Sequence, residues 1–422
     1  MDKMNKTTTM SNQPWIQAVH INNLRQLQNF DIQICDERSF RHLFLTGPNG
    51  SGKTTFLHAL REQLEMLAKD HSLQHRNYKS LLSHARKRLD DVDKGNDPGA
   101  VVQARNQVQH WEQQIKQLWD KLEARISHEE VLPEKFEKRE FIIAFYKDTR
   151  VSSFKAPVNP TKPKISNEVQ SNNGGEFLNF LVDQKVQQAL ASANGKQSDA
   201  DAIGEWFTIF QGILRKIFAD ELLELLFDYK DYSFSIQTQG RRFPFTGLSA
   251  GYAAVMDIVA DLILKMHSAN RLKRVFDMPG IVLVDEVETH LHLALQKQIM
   301  PILTGIFPKI QFIVTTHSPF VLNSDKNATV YDLKSHERVE DLTEYSYEAL
   351  AEGFLGVDTE SGELRWRLDR MDELVHASSL TDVEKDELER YIEEFRKVPD
   401  ALAPRQKARF NDLHRIYLLK RA

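Results

Sequence analysis

The sequence has a single cysteine, Cys35, among 422 residues. One cysteine cannot form an intrachain disulfide, and such a composition is typical of proteins in a reducing compartment. The sequence also lacks any apolar run near the ~20 residues that a membrane-spanning helix needs. Residues 1–14 are polar and contain no apolar stretch of a secretory signal. We therefore expect a soluble cytoplasmic protein with a disordered leader over residues 1–14 and no membrane partner.

An excess of basic charge is missing as well. Lys and Arg number 55 against 60 Asp and Glu, so the formal net charge is −5. The chain as a whole is therefore not a basic nucleic-acid binder, and contact with nucleic acid would need a local patch. One basic cluster, residues 84–88, is explained more simply as a solvated helix face. Nucleic acid stays one candidate partner.

A glycine-rich segment from Gly47 to Thr54, the phosphate loop, fits the pattern G-x-x-x-x-G-K-[ST]. It follows an apolar strand predicted over 42–46 and precedes a predicted helix, as this pattern requires. Backbone N–H groups of such a loop surround the β-phosphate, and the helix N-terminus adds positive potential. Lys53 is expected on the β- and γ-phosphates, and the Thr54 hydroxyl on Mg²⁺. The predicted nucleotide-binding residues are Asn49, Gly50, Ser51, Gly52, Lys53, Thr54 and Thr55.

Two adjacent acids, Asp285 and Glu286, follow the all-apolar run 281–284. A buried strand that ends in acids delivers them to the sheet edge where α/β proteins bind ligands. Asp285 is expected to hold the metal, and Glu286 to act as general base for the attacking water or to orient it. The alternative is a strand that ends in solvated acids, and the phosphate loop argues against it.

Two further segments are ambiguous when taken alone. Ser249 and Gly251 open an apolar helix, and a serine beside helix N-terminal N–H groups can bind phosphate. A plain serine N-cap explains the same residues. His317 follows a strand predicted over 311–315, and a lone histidine in such a place is usually structural.

The order of these elements decides between the alternatives. The phosphate loop, residues 248–252, the acid pair and His317 follow one another as in ABC-type ATPases. Residues 248–252 resemble the signature L-S-G-G-Q of that family, from which Ala250 and Tyr252 depart. Over residues 15–335 the chain resembles ABC-type ATPases of the SMC/RecF class. The resemblance implies binding of ATP and Mg²⁺, hydrolysis of ATP, and contact between His317 and the γ-phosphate.

The resemblance also implies an assembly. In this family a signature cannot reach its own phosphate loop, so Ser249 and Gly251 are expected to serve a second chain in a homodimer or higher homo-oligomer. More narrowly, residues 315–322 and the general layout resemble the ATPase subunits of Septu-type and retron-associated antiphage systems. This implies an ATPase that senses or clamps a target and controls a separate effector, a nuclease or a toxin.

Other functions compete with this one. A RecF-like DNA repair ATPase shares every motif. A transporter ATPase subunit is disfavoured because Lys53 and Ser249 lie far apart in sequence, which leaves room for large insertions. A scaffold that binds ATP without turnover is disfavoured by Glu286. An internal nuclease is not expected, because the acids after His317 lie on predicted helices rather than strands.

One departure from the family pattern stands out. ABC ATPases usually carry a glutamine after the strand predicted here over 141–146, and this chain continues with Lys-Asp-Thr-Arg. Arg150 could lie near the nucleotide instead. The missing glutamine also disfavours the transporter interpretation.

The predicted fold is α/β: an ABC-type ATPase head with a helical insertion and a helical C-terminal region over 336–422. Two heptad runs are separated by a Gly/Pro-containing breaker at 93–99, which predicts an antiparallel coiled-coil hairpin over 57–128. Two ordinary amphipathic helices packed on the domain are the alternative. The predicted seam residues are Leu57, Leu60, Leu64, Leu67, Tyr78, Leu81, Ala85, Val92, Val101, Ala104, Val108, Trp111, Ile115, Leu118 and Leu122.

Overall fold

The computed structural model describes residues 13–36, 40–69, 72–94, 97–118, 120–149, 154–267, 276–357, 361–399 and 403–421. The chain divides into two compact units, one up to Tyr347, here called the head, and one from Glu348 onward. Most of the predicted leader, residues 1–12, lies outside the described residues. No helix of the described ranges combines the length and apolar character needed to cross a bilayer.

Over its described residues, the head contains three sheets and the helices that cover them. Its strands are β1 (Ile16–Leu24), β2 (Leu27–Gln33), β3 (His42–Thr46), β4 (Leu122–Ile126), β5 (Ile142–Tyr146), β6 (Glu224–Asp228), β7 (Ser233–Gln237), β8 (Arg242–Pro244), β9 (Gly280–Val284), β10 (Ile310–Thr315), β11 (Ala328–Asp332) and β12 (Arg338–Glu340). Its helices are α1 (Lys53–Ala68), α2 (Ser72–Asp93), α3 (Pro98–Leu118), α4 (Leu132–Glu137), α5 (Phe177–Ala193), α6 (Gln197–Phe218), α7 (Ala250–Met266), α8 (Leu293–Ile306) and α9 (Pro319–Leu322). The short α10 (Tyr347–Ala349) begins at the last residue of this unit and continues into the second.

The central sheet has six strands in the order β12-β11-β3-β10-β9-β5. All neighbours in it are parallel except β12, which pairs antiparallel with β11. Every residue of β3, β5, β9 and β10 is buried, as expected for parallel strands that are covered on both faces. The strands predicted at 42–46, 141–146, 281–284 and 311–315 are confirmed. The carboxyl ends of β3, β10 and β9 therefore meet at one sheet edge.

Two smaller sheets are antiparallel, with strand orders β2-β1-β4 and β6-β7-β8. Strands β1 and β2 are adjacent in the chain and pair antiparallel, with Ile21 opposite Phe30. Strand β4 pairs with β1, and Ile21 lies opposite Leu122. The end of the predicted hairpin range, 57–128, is therefore part of a sheet of the head.

The start of that range also belongs to the head. Leu57, Leu60 and Leu64 of α1 are fully buried in the core cluster that includes strands β1 to β5. Helix α1 ends at Ala68, and a separate helix begins at Ser72. A core-facing helix and a coiled-coil seam share spacings of three and four residues, so periodicity could not separate them.

Helices α2 and α3 lie against each other with only a short connection between them. The rings of Tyr78 and Trp111 are 5.6 Å apart, and Ala85, Ala104 and Val108 are buried. The prediction that Leu81 is a seam residue is wrong, since 40% of its surface is exposed. The neighbouring Leu82 is partly buried and packs on the head instead.

Helix α6 ends at Phe218, because Ala219 adopts a left-handed conformation (φ 51°) at its C-cap and β6 then begins. One other sequence expectation needs correction. The region from 336 is not helical throughout, since β12 lies within it and pairs with β11. Strands as short as β12, three residues long, leave little pattern in a sequence.

In the part of the second unit that the structure describes, a π-helical turn at Leu350–Phe354 precedes three longer helices, α11 (Gly362–His376), α12 (Asp382–Lys397) and α13 (Pro404–Arg421). Helix α12 begins with a capping box. The Thr381 hydroxyl accepts from the Glu384 N–H, and the Glu384 carboxylate accepts from the Thr381 N–H. Leu368, Met371 and Phe395 lie in a separate apolar core.

The first prediction concerns the outer part of the hairpin. Ile115 joins the core cluster of the head, with Tyr78 and Leu82 packed against it, whereas Ala85, Ala104 and Val108 are buried outside that cluster. Replacing residues 88–105 by a Gly/Ser turn should therefore leave the thermal unfolding midpoint nearly unchanged. The longer deletion of 78–115 serves as the comparison. It removes Ile115 and should lower stability by at least ~1.5–3 kcal/mol. Equal destabilisation by both deletions would show that the outer hairpin belongs to the core.

Candidate functional site

The phosphate loop turns sharply between β3 and α1. Gly47, Gly50 and Gly52 have φ values of 139°, 80° and 100°, which residues with a Cβ rarely adopt. A Cβ on Gly47 would lie 2.8 Å from Ser51 Oγ, so the first turn also has no room for one. Lys53 Nζ donates to the carbonyl oxygens of Gly47 (2.8 Å) and Pro48 (3.1 Å). The ammonium group is therefore held inside the loop.

Two polar groups complete the loop. Gln26, in the turn between β1 and β2, donates from Nε2 to the Gly50 carbonyl at 2.6 Å. Sequence reasoning missed Gln26, because no local signal indicates that this turn lies over the phosphate loop. Ser51 Oγ is buried and has no hydrogen-bond partner among the described residues. An unsatisfied hydroxyl beside a buried ammonium fits a phosphate group as the missing partner.

The acid pair is fixed by a threonine of the neighbouring strand. Thr315, the last residue of β10, donates from Oγ1 to Asp285 Oδ1 at 2.6 Å and accepts from the Glu286 N–H at 2.8 Å. Asp285 is buried, and Glu286 has a left-handed φ of 44°. Such a backbone conformation costs about 1–3 kcal/mol outside glycine and persists where its surroundings hold it. The two bonds to Thr315 supply that restraint.

His317 lies in the loop after β10, residues 316–318, here called the switch loop. Its backbone N–H donates to Glu288 Oε1 at 2.5 Å. Burial lowers the pKa of His317, and the positive charge of Lys53 lowers it further. Burial raises the pKa of Glu288. His317 Nε2 and Glu288 Oε2 are both buried without a hydrogen-bond partner among the described residues.

The charges that act on Lys53 show that the predicted lysine and acids lie in one site. Burial lowers the pKa of Lys53, while the carboxylates of Glu286, Asp285, Glu288 and Asp332 act in the opposite direction. Several carboxylates around one ammonium leave excess negative charge at the sheet edge. Phosphates would add to that charge, so a divalent cation suits the site. Asp285, the first predicted ligand, is buried at this edge, and Thr54, the second predicted ligand, is exposed at the start of α1.

The signature segment stands apart from this cluster. Ser249 is the N-cap residue of α7, is exposed, and makes no capping hydrogen bond with its side chain. The N-cap interpretation therefore leaves its hydroxyl unexplained. A Cβ on Gly251 would lie 3.2 Å from Leu295 Cδ1 and 3.3 Å from the His290 carbonyl oxygen. Over the described ranges, no hydrogen bond or ion pair joins residues 248–252 to the phosphate loop.

Tyr252, which departs from the usual signature, is a packing residue. Its ring stacks on Phe218 at 4.3 Å between centroids and meets the His292 ring edge-on at 6.2 Å. The signature helix is thereby packed on the segment that follows the acid pair. Aromatic pairs of this kind add about 0.5–1.5 kcal/mol beyond the area that they bury.

The end of β5 lacks the family's glutamine but is tied to both the acids and α7. The Tyr146 carbonyl accepts from the Asp285 N–H at 2.8 Å. The Tyr146 hydroxyl donates to Asp261 Oδ2 at 2.6 Å, and Asp261 also pairs with Lys265 at 2.8 Å. Arg150, which the sequence suggested near the nucleotide, lies outside the described residues.

The second prediction concerns Thr315. Thr315→Val keeps the shape of the side chain but removes the bonds to Asp285 and Glu286, so kcat for ATP should fall about 10- to 100-fold. The loss corresponds to ~1.4–2.8 kcal/mol, the range for a hydrogen bond to a charged group. Thr304→Val is the matched control, because Thr304 donates to the Asp325 carboxylate at 3.0 Å away from the site. Equal rates for the two variants would contradict the role given to Thr315.

Three curated proteins are similar to parts of the chain. The Septu protein PtuA of Bacillus mycoides (strain KBAB4) is 24% identical over 339 residues, 78% of this chain and 42% of that protein. The retron Ec83 probable ATPase of Escherichia coli is 35% identical over 121 residues, 28% of this chain and 20% of that protein. The retron Vc95 probable ATPase of Vibrio cholerae serotype O1 biovar El Tor is 27% identical over 179 residues, with shares of 42% and 34%. The chain spans less than half the length of these curated relatives.

Two solved structures align with most of the chain at low scores. An SMC head bound to the C-winged helix domain of ScpA gives a TM-score of 0.38 and 11% identity, and covers 78% of this chain and 99% of that one. A nucleotide-free ATP-binding cassette from an ABC transporter gives a TM-score of 0.32 and 13% identity, and the alignment covers 79% of this chain and 90% of that one.

A family model covers more of the chain than most of these relatives do. The family described as "AAA domain, putative AbiEii toxin, Type IV TA system" matches residues 71–323. The match runs from the hairpin through the signature helix, the acid pair and the switch loop to the end of α9. Because it takes in more than half of the chain, the protein belongs to this AAA_21 family of AAA domains.

Proposed function

We propose that the chain binds and hydrolyses ATP with Mg²⁺, as a head-to-tail dimer that controls a separate effector in antiphage defence. The observation that carries the enzymatic part is the grouping of Lys53, Asp285, Glu286 and His317 at one edge of a buried parallel sheet. Phosphoryl transfer needs an ammonium group that binds phosphates, a carboxylate that binds a metal and a second carboxylate that activates water.

Each residue has a distinct task in this proposal. The N–H groups of the phosphate loop and Lys53 hold the β- and γ-phosphates, and the buried Ser51 hydroxyl gains its missing partner there. Glu286 orients or deprotonates the attacking water. His317, whose pKa is lowered by burial and by Lys53, can form a hydrogen bond at the γ-phosphate. Mg²⁺, held with help from Asp285 and Thr54, would neutralise charge on the phosphate oxygens.

The proposed dimer follows from the position of the signature. The exposed Ser249 hydroxyl and the first N–H groups of α7 form a phosphate-binding surface that no group of the same chain, within the described residues, satisfies. A nucleotide held by a second chain is the ligand that this surface suits. Closure by two such contacts makes a symmetric dimer with two shared sites.

The defence role rests on the relatives alone. Septu PtuA and the two retron ATPases are similar to this chain in part of their length, so their roles come to it only as a proposal. The outer hairpin, whose buried seam lies outside the core of the head, is a suitable contact for a target or an effector. A RecF-like repair ATPase is the competing role, and a toxic or nucleolytic partner that copurifies would distinguish the two.

The third prediction separates binding from turnover. Lys53→Ala should lose ATP binding, because the ammonium group that neutralises the phosphates is removed. Glu286→Gln should bind ATP normally and hydrolyse it at least ~100-fold more slowly, because water is no longer activated. Binding of a fluorescent ATP analogue and steady-state phosphate release measure the two steps.

Matched controls lie elsewhere on the head. Lys196→Ala and Glu224→Gln make the same chemical changes at exposed positions, so both variants should bind and hydrolyse ATP like the wild type. Normal turnover by Glu286→Gln would contradict the assignment of the base. Tight ATP binding by Lys53→Ala would contradict the assignment of the phosphate loop.

A further inference from the structure

The segment after the acid pair is bound to the switch loop at two points. Glu288 Oε1 accepts from the His317 N–H at 2.5 Å. Gln296 Oε1 accepts from the Ser318 hydroxyl at 2.7 Å, and Gln296 Nε2 donates to the Leu291 carbonyl at 2.8 Å. Side chains of the protein therefore hold the switch loop in place, and these hydrogen bonds do not require a nucleotide.

Glu288 is the unusual member of this set. Its carboxyl group is largely buried, so keeping it there costs free energy that its bonds must offset. Oε1 receives the His317 N–H, and the side chain of Thr316, also in the switch loop, acts on the same carboxylate. Oε2 is buried and has no hydrogen-bond partner among the described residues. A side chain that only filled space would not need an acid. Glu288 also acts on the charge of Lys53, so it lies near the phosphate end of the site.

Glu288 accepts its hydrogen bond from the backbone of His317 and not from the imidazole ring. It can therefore control the position of the backbone at His317. A backbone N–H held by a carboxylate fixes the position of the His317 Cα, and hence the origin of its side chain. The imidazole Nε2 is buried and unpaired among the described residues, ready for a partner that the site supplies. A displacement of about 1 Å in such a group can lower a rate about 100-fold.

We propose that Glu288 is a positioning residue that holds His317 at the γ-phosphate through the backbone of the switch loop. The inference rests on the proposed ATPase function and deepens it. Glu288 acts through its acceptor oxygen rather than its negative charge, and it does not contact the nucleotide. It therefore affects turnover, which depends on the orientation of His317, more than ATP binding.

The test uses two neutral variants of similar length, Glu288→Gln and Glu288→Met. Both remove the charge and fill the space, and only glutamine retains an oxygen that can accept from the His317 N–H. We expect Glu288→Gln to keep kcat within about threefold of the wild type and Glu288→Met to lose about 10- to 100-fold. The KM for ATP and the binding of a fluorescent ATP analogue should change little in either variant.

A double-mutant cycle with His317→Ala tests the route of the effect. If Glu288 acts through His317, adding Glu288→Met to His317→Ala should lower kcat by less than about twofold. Thermal unfolding of each variant checks the fold. If Glu288→Met proves unstable, Glu288→Ala replaces it in the same cycle.

The outcomes separate this inference from the proposed function. Equal kcat values for the Gln and Met variants, or multiplicative losses in the cycle, would overturn the positioning role while wild-type turnover stands. Absence of ATP turnover by the wild-type protein would overturn the proposed function and this inference with it.

Discussion

The pairing of β10 with both β3 and β9 is the constraint on which the site depends. The three strands are parallel, so their carboxyl ends bring the next segments of the chain to the same edge of the sheet. The phosphate loop comes after β3, the acid pair after β9, and the switch loop after β10. Thr315, at the end of the middle strand, forms hydrogen bonds with both acids. These bonds hold the acids at fixed distances from the end of β10.

This arrangement concentrates groups that are unfavourable on their own. The site holds a buried ammonium among carboxylates, a glutamate with a left-handed backbone, and buried polar atoms on Ser51 and His317 without partners in the described part of the chain. Each of these costs free energy in a folded protein. A nucleotide with its cation would satisfy them together, so the same features that destabilise the site favour binding there.

The sequence alone was sufficient to predict the elements that depend on local chemistry and periodicity. Residues 281–284 predicted β9 because an uninterrupted apolar run is typical of a buried parallel strand. The hairpin bounds were wrong because α1 has the spacing of a coiled-coil seam, and only burial of Leu60 in the head distinguishes the two. The roles of Gln26 and Glu288 were not predicted, because they depend on residues 24 and 29 positions away in the chain, Gly50 and His317. Contacts at such separations depend on topology, which periodicity does not reveal.

The central claim is that each ATP site takes residues from two chains, and mixing two inactive proteins measures it most directly. Lys53→Ala disables the phosphate loop, and Ser249→Arg places a bulky charged side chain at the signature. In a mixed dimer one site carries both changes and the other carries neither. The account predicts that phosphate release returns on mixing, in proportion to the mixed dimer measured by native mass spectrometry. Mixed dimers without any recovered activity, or a wild-type protein that is fully active as a monomer, would contradict it.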